Sequence, residues 1–165
     1  MIISVIGEGD ARPDIADLAE RVGAELAKHG VTVACGGLGG VMEAVSRGAK
    51  AAGGVTVGIL PGNDPNDGNP WIDIPILTGM GYARNAIVAK TGMAVIAVGG
   101  AYGTLSEIGH ALGDGIPVIG LRTWTLSRNG DEDTAIVLAS DPSDAVHKAI
   151  EAAQAREESL RLRTH

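Results

Sequence analysis

The sequence predicts a doubly wound α/β fold: a single domain with a mostly parallel, Rossmann-like sheet and helices on both faces. Three observations predict it. Short apolar runs alternate with helical stripes along the chain. The 165 residues contain no Phe, two Trp and two Tyr, so the core must be Val, Ile, Leu and Ala, which suits sheets closely covered by helices. Three apolar runs also end in glycine-rich turns: Gly7-Glu8-Gly9, Gly36 to Gly40 and Gly99 to Gly103. In such sheets ligands bind beyond the carboxyl ends of the strands, at the switch point, and right-handed crossovers would bring the three turns to one edge.

Taken in order, Ile2 to Ile6 is a buried strand. Pro13 stands where a first helical turn tolerates proline, and Ile15, Leu18, Ala19, Val22 and Leu26 then follow at helical spacing. Gly30 closes that helix, and Val31 to Cys35 is the second strand. Val41, Met42, Val45, Ala49 and Ala52 stripe a second helix, which Gly53-Gly54 end before the strand Val55 to Leu60. Pro61 to Pro70 has the composition of a surface loop. Ile72 to Leu77 is extended and holds Pro75, which confines it to a sheet edge. A short helix near Tyr82 to Lys90, a strand from Met93 to Val98 and a helix from Thr104 to Leu112 come next. Pro117 to Leu121 is a strand, Arg122 to Thr134 reads as a polar loop, and Ala135 to Ala139 is the last strand. Asp141-Pro142-Ser143-Asp144 starts the final helix, with an N-cap, proline at N1 and an acid at N3. The domain is expected to span residues 1–155, with a charged tail that frays over 156–165.

Net charge is −7, which argues against a nucleic-acid surface, because phosphate neutralisation needs clustered Lys and Arg. One cysteine, Cys35, excludes an internal disulfide and a cysteine-based zinc site, so no metal is expected and a reducing cytoplasm is the simplest compartment. The amino terminus lacks a basic, then apolar leader, and Met93 to Val98 is far too short to span a bilayer, so no membrane partner is expected. The first turn, GEGDAR, is not G-x-G-x-x-G, and P-loop, zincin and G-x-S-x-G patterns are absent.

The chemistry therefore rests on Gly79 to Glu107. Here a helix carrying Arg84 leads to a strand, a glycine turn and a helix carrying Glu107. Unpaired N–H groups and the helix dipole make such a turn an anion site. By residue type alone the turn is equally a tight connection, and Arg84 and Glu107 equally an ion pair tying two helices. Glu8 faces the crevice or caps a turn. Cys35 reads as a small buried hydrophobe, His110 as a packing residue, Tyr102 as a stacking or covering ring, and Trp71 and Trp124 as loop anchors.

Gly36-Gly37-Leu38-Gly39-Gly40-Val41-Met42 resembles the GGxxGxM segment of the LOG (LONELY GUY) superfamily, long labelled lysine decarboxylases. Gly99-Gly100-Ala101-Tyr102-Gly103-Thr104-Leu105-Ser106-Glu107 resembles its PGGxGTxxE motif, and Arg84 stands for the arginine of its MHxRK-type segment. The resemblance runs from the first strand to about Leu121. The chain departs from the pattern at Gly99, where the family has proline, at Ala101, at Asn85 in place of lysine, and in lacking the histidine before the arginine. In these departures and in its length it resembles a short branch that includes molybdenum-cofactor carrier proteins.

The resemblance implies a crevice that anchors the phosphate of a nucleotide- or pterin-like small molecule. Gly7, Glu8, Gly36, Gly37, Gly39, Gly40, Met42, Asn85, Gly99, Gly100, Ala101, Tyr102, Gly103 and Thr104 would line it. Two functions follow. One is a carrier of the molybdenum cofactor, a pterin, needing no cofactor for catalysis. The other is a nucleoside 5′-monophosphate phosphoribohydrolase releasing free base and ribose 5-phosphate. In the second, Glu107 would stabilise the oxocarbenium-like sugar or orient water, and Arg84 would hold the substrate. A pyridoxal-phosphate lysine motif is absent, which leaves the decarboxylase label unsupported. A homodimer or homotetramer is also implied.

Overall fold

In the computed structural model, which describes residues 1–163, the elements follow in chain order. They are β1 (Ile2–Gly7), α1 (Pro13–Lys28), β2 (Thr32–Cys35), α2 (Val41–Ala51), β3 (Thr56–Leu60), β4 (Ile74–Leu77), α3 (Asn85–Thr91), β5 (Val95–Val98), α4 (Tyr102–Gly113), β6 (Val118–Leu121), β7 (Leu126–Arg128), β8 (Asp131–Asp133), β9 (Ile136–Leu138) and α5 (Pro142–Arg163). A short 3₁₀ turn, Gly81–Arg84, leads into α3. Seven strands form one parallel sheet in the order β4-β3-β2-β1-β5-β6-β9. The sheet grows both ways from β1, so the topological switch lies between β1 and β5.

Successive strand residues point to opposite faces, and both faces are apolar because both are covered. Ile96 and Val98 of β5 face α1, α2 and α5 through Ile15, Val22, Leu26, Val45, Val146 and Ala149. Val95 and Ala97 face α3 and α4 through Val88, Ala89, Ile108 and Ala111. This is the doubly wound α/β arrangement that the alternation of strands and stripes predicts.

Local chemistry sets several boundaries. Pro13 opens α1, and Gly30 follows its end at φ 69°. Asp141 Oδ1 accepts the N–H of Asp144 at 2.9 Å at the start of α5. Pro75 lies in β4, an edge strand, where its missing N–H leaves no ladder bond unmade on the open side.

Three expectations are corrected. Arg122 to Thr134 is not all loop: β7 and β8 pair antiparallel around Asn129-Gly130, whose φ values are 55° and 92°. An Asn-Gly pair at positive φ is a hairpin signal, but its flanks are polar and give no apolar alternation. The tail from Arg156 continues α5 to Arg163, because its Arg, Glu and Leu residues are good helix formers. Arg156 Nη1 also donates to the carbonyls of Gly92 and Met93, at 3.3 Å each. Thr164 and His165, the end of that expected tail, lie outside the described residues. Helix α4 starts at Tyr102, two residues before the expected Thr104.

No helix among the described residues is long and apolar enough to cross a membrane.

Candidate functional site

The register of β1 on β5 sets Gly7 opposite Val98, so the first and third glycine turns leave the sheet side by side at the switch point. A cavity of about 540 Å³ opens there. Its walls are Gly7 at the end of β1 with Glu8 and Gly9 after it; Leu38 and Met42 around the start of α2; Pro61 after β3; Gly81, Tyr82 and Arg84 of the 3₁₀ turn after β4, with Asn85; and Ala101, Gly103, Thr104 and Glu107 of α4 and its approach.

Arg84 is 7% exposed at the end of the 3₁₀ turn. Its Nη2 donates to the Gly36 carbonyl at 3.2 Å, its Nη1 donates to Asn85 Oδ1, and its Nε is buried with no partner among the described residues. Gly36 makes room for it: a Cβ there would stand 2.7 Å from Arg84 Nη2 and 2.6 Å from Met42 Sδ. Asn85, also buried, donates from Nδ2 to Ser106 Oγ at 3.1 Å, and that hydroxyl donates to the Gly103 carbonyl at 2.7 Å. Asn85 thus ties the arginine to the first turn of α4. Burial holds the Arg84 guanidinium below its ordinary pKa, opposed by the negative charge of Glu107.

Glu107 lies one helical turn beyond Thr104, 6% exposed. Its carboxyl accepts no hydrogen bond from the described residues, and the direct ion pair with Arg84 is not formed. Burial raises its pKa from 4.5 to about 7, against the lowering pull of Arg84. A carboxyl poised near neutrality beside a cavity exchanges protons readily at physiological pH.

The third glycine turn presents donors to the same cavity. The N–H groups of Tyr102, Gly103 and Thr104 have no acceptor among the described residues. They point outward at the positive end of α4. Ala101 N–H donates to Thr104 Oγ1 at 3.3 Å. The Gly100 N–H is already taken, because it donates to the Glu8 carboxylate. Gly99 sits at φ 59° against that carboxylate, and a Cβ there would come within 2.4 Å of Glu8 Oε2. A β-carbon would be both strained and obstructed at this position.

The expected site residues thus divide. Gly7, Glu8, Met42, Arg84, Asn85, Ala101, Gly103, Thr104 and Glu107 line the large cavity. Gly99 and Gly100 line a neighbouring one. Gly36, Gly37, Gly39 and Gly40 line neither and work as spacers; a Cβ on Gly40 would meet the Glu8 carbonyl at 2.3 Å. Tyr102 is 81% exposed, with its ring 5.7 Å from that of Trp124, whose Nε1 donates to the Ala101 carbonyl at 3.3 Å. His110 is exposed and outside the cavity. Cys35 is buried against Ser46 and Gly37, and burial pushes its thiol pKa up. Gly9 and Leu38 belong to two of the glycine turns expected to meet here, whereas the walls Pro61, Gly81 and Tyr82 were not expected. They come from turns that no periodicity marks. No group of three or more His, Cys, Asp or Glu among the described residues is arranged to hold a metal ion.

Residues 1–153 match the model of the SLOG cluster4 family, and the chain belongs to that family. It is 47% identical over 122 residues to an uncharacterised protein of Archaeoglobus fulgidus, covering 74% of this chain and 80% of that one. Among solved structures it is similar to the molybdenum cofactor binding protein of Rippkaea orientalis, at 35% identity and a TM-score of 0.81, covering 91% of this chain and 95% of that chain. It is likewise similar to the molybdenum cofactor carrier protein of Chlamydomonas reinhardtii, at 32% identity and a TM-score of 0.81, covering 93% and 98%.

Proposed function

We propose that the chain is a carrier that holds a phosphorylated pterin, the molybdenum cofactor, with its phosphate at the start of α4. The observation that carries this reading is one cavity with two kinds of wall. At one end stand the unpartnered N–H groups of Gly103 and Thr104 and the guanidinium of Arg84, whose Nε lacks a partner. This donor set suits phosphate oxygens. Elsewhere Leu38, Met42 and Pro61 offer apolar surface to a planar ring. A volume of about 540 Å³ lies within the usual range for small-ligand cavities. The two cofactor-binding neighbours, similar over nearly their whole length, support the same ligand class.

A second reading has its own observation, the buried and unpaired Glu107 with its pKa near 7. In a phosphoribohydrolase the C1′–N bond breaks with its electron pair leaving on the base. The cationic sugar is stabilised by ionised Glu107, water adds its oxygen to C1′, and a proton passes to the base nitrogen. One set of measurements separates the two. The purified protein is incubated with nucleoside monophosphates and assayed for free base and ribose 5-phosphate, and pterin-cofactor binding is followed by fluorescence. The carrier reading expects no turnover and micromolar or tighter cofactor binding that weakens at least tenfold in Arg84→Ala. Turnover that Glu107→Gln abolishes would replace the carrier with the hydrolase.

We also propose a homodimer or homotetramer. Ile74, Ile76 and Leu77 of edge strand β4, with Met80 after it, are 42–50% exposed, a surface that a subunit contact would cover. Light scattering on the purified chain is expected to give two or four times the 16.7 kDa chain mass. A monomer would refute it.

A further inference from the structure

Beyond Glu8 lies a second cavity of about 400 Å³. Glu8 lines both cavities, so its side chain is the partition between them. The far wall carries two guanidinium groups, of Arg12 before α1 and of Arg122 after β6. Both reach one carboxylate oxygen, Asp14 Oδ2, at 3.3 and 3.2 Å. One carboxylate thus faces two cations, and both arginines keep most of their donors free. Arg122 also sits at φ 52°, in the left-handed region that non-glycine side chains avoid. Residues held in that region cluster at functional sites. The strained residue here is the one that brings a cation to the carboxyl end of β6, beside the switch point.

The partition shows what the shared turn accepts. Glu8 places an anionic oxygen on the Gly100 N–H, so a phosphate oxygen has the same partner once Glu8 turns aside. Trp124 lines the far cavity, and its ring lies 5.7 Å from that of the exposed Tyr102. Aromatic faces there suit a second planar group.

We propose that this second cavity is a further anion subsite, so that the chain binds a diphosphate ester more tightly than the corresponding phosphate monoester. The first phosphoryl group sits at the start of α4, and this part rests on the phosphate-anchored reading above. The second passes the displaced Glu8, meets the Gly100 N–H and pairs with Arg12 and Arg122. Charge-assisted contacts to two exposed guanidinium groups weaken in salt, so the preference is itself salt-dependent.

The test compares guanosine 5′-monophosphate with guanosine 5′-diphosphate by calorimetry, on the wild-type chain and on the double variant Arg12→Gln, Arg122→Gln. Both side chains are exposed, at 75% and 64%, so the variant is expected to fold. The diphosphate should bind wild type about tenfold or more tightly than the monophosphate. That advantage should shrink at 0.5 M salt and vanish in the double variant. If the monophosphate binds and the diphosphate binds no better, or if the double variant keeps the advantage, the second subsite is wrong and the first stands. If neither nucleotide binds, the diphosphate subsite is wrong, and the phosphate-anchored reading stands or falls on the pterin-binding measurement above.

Discussion

Alanine in place of Gly23 or Gly48 is expected to destabilise the domain by about 3 kcal/mol or more, at the upper end of the usual overpacking range. The sign is the informative part. In an exposed helix interior Gly→Ala stabilises by up to about 1 kcal/mol, since glycine is the poorer helix former. Helices α1 and α2 reverse this because they touch backbone to backbone. A Cβ on Gly23 would stand 2.0 Å from the Val45 carbonyl oxygen and 2.9 Å from the Ala49 nitrogen. One on Gly48 would stand 1.9 Å from the Glu20 carbonyl oxygen. Backbone cannot rotate aside as a side chain does, so the helices must separate. Separation would also disturb the paired Arg47 and Glu20, 2.9 Å apart, and the buried layer of Val22, Leu26 and Val45 beneath. Gly109 is the control, a helical glycine of α4 whose added Cβ meets nothing within 4 Å. Urea unfolding of the three variants decides the matter. Gly109→Ala should be neutral or stabilising, and a Gly23→Ala variant within 0.5 kcal/mol of wild type, about the spread of an ordinary surface substitution, would refute the close-contact account.

The α1–α2 contact also shows what the sequence makes legible. The stripes through Ile15, Val22 and Leu26, and through Val41, Val45 and Ala49, announce two amphipathic helices, and each buries the face so marked. What they pack against is not periodic and cannot be read from a stripe. Glycines at positions 23 and 48 look like helix-weakening residues until the partner backbone is placed beside them. The site behaves in the same way. The turn at Gly99 to Gly103, with Arg84 and Glu107, is a local pattern, and the parallel register brings its parts to one cavity. Pro61 and Tyr82 enter that cavity from separate segments and carry no local signal. The clamp of Glu8 on Gly100 joins residues 92 positions apart, and only the pairing of β1 with β5 makes them neighbours. The hairpin at Asn129-Gly130 is the reverse case: its turn signal is present in the sequence but stands among polar residues.

Glutamine at position 107 is expected to stabilise the protein at alkaline pH, by about 3 kcal/mol at pH 8, and to change little at pH 4.5 and below. The direction follows from the proton. Burial raises the Glu107 pKa from 4.5 to about 7, so the folded chain holds a proton that the unfolded chain releases. That contribution to stability is complete below about pH 4.5. It declines as pH rises and is gone above about pH 7, where the folded chain must bury an ionised carboxylate. Glutamine keeps the shape of the neutral acid and never ionises, so the gap between variant and wild type opens across this window. Arg84 limits the effect without cancelling it, since its attraction is already opposed to the burial that wins. Urea unfolding of both proteins at pH 5 and pH 8 measures the gap, and a variant no more stable than wild type at pH 8 would overturn the assignment. A carboxyl kept for stability would accept hydrogen bonds or sit in contact with Arg84, and Glu107 does neither. Above neutral pH Glu107 is therefore a net cost to the fold. If the same Glu107→Gln protein gains stability and binds the proposed pterin ligand as wild type does, the carboxylate is not part of the anchor.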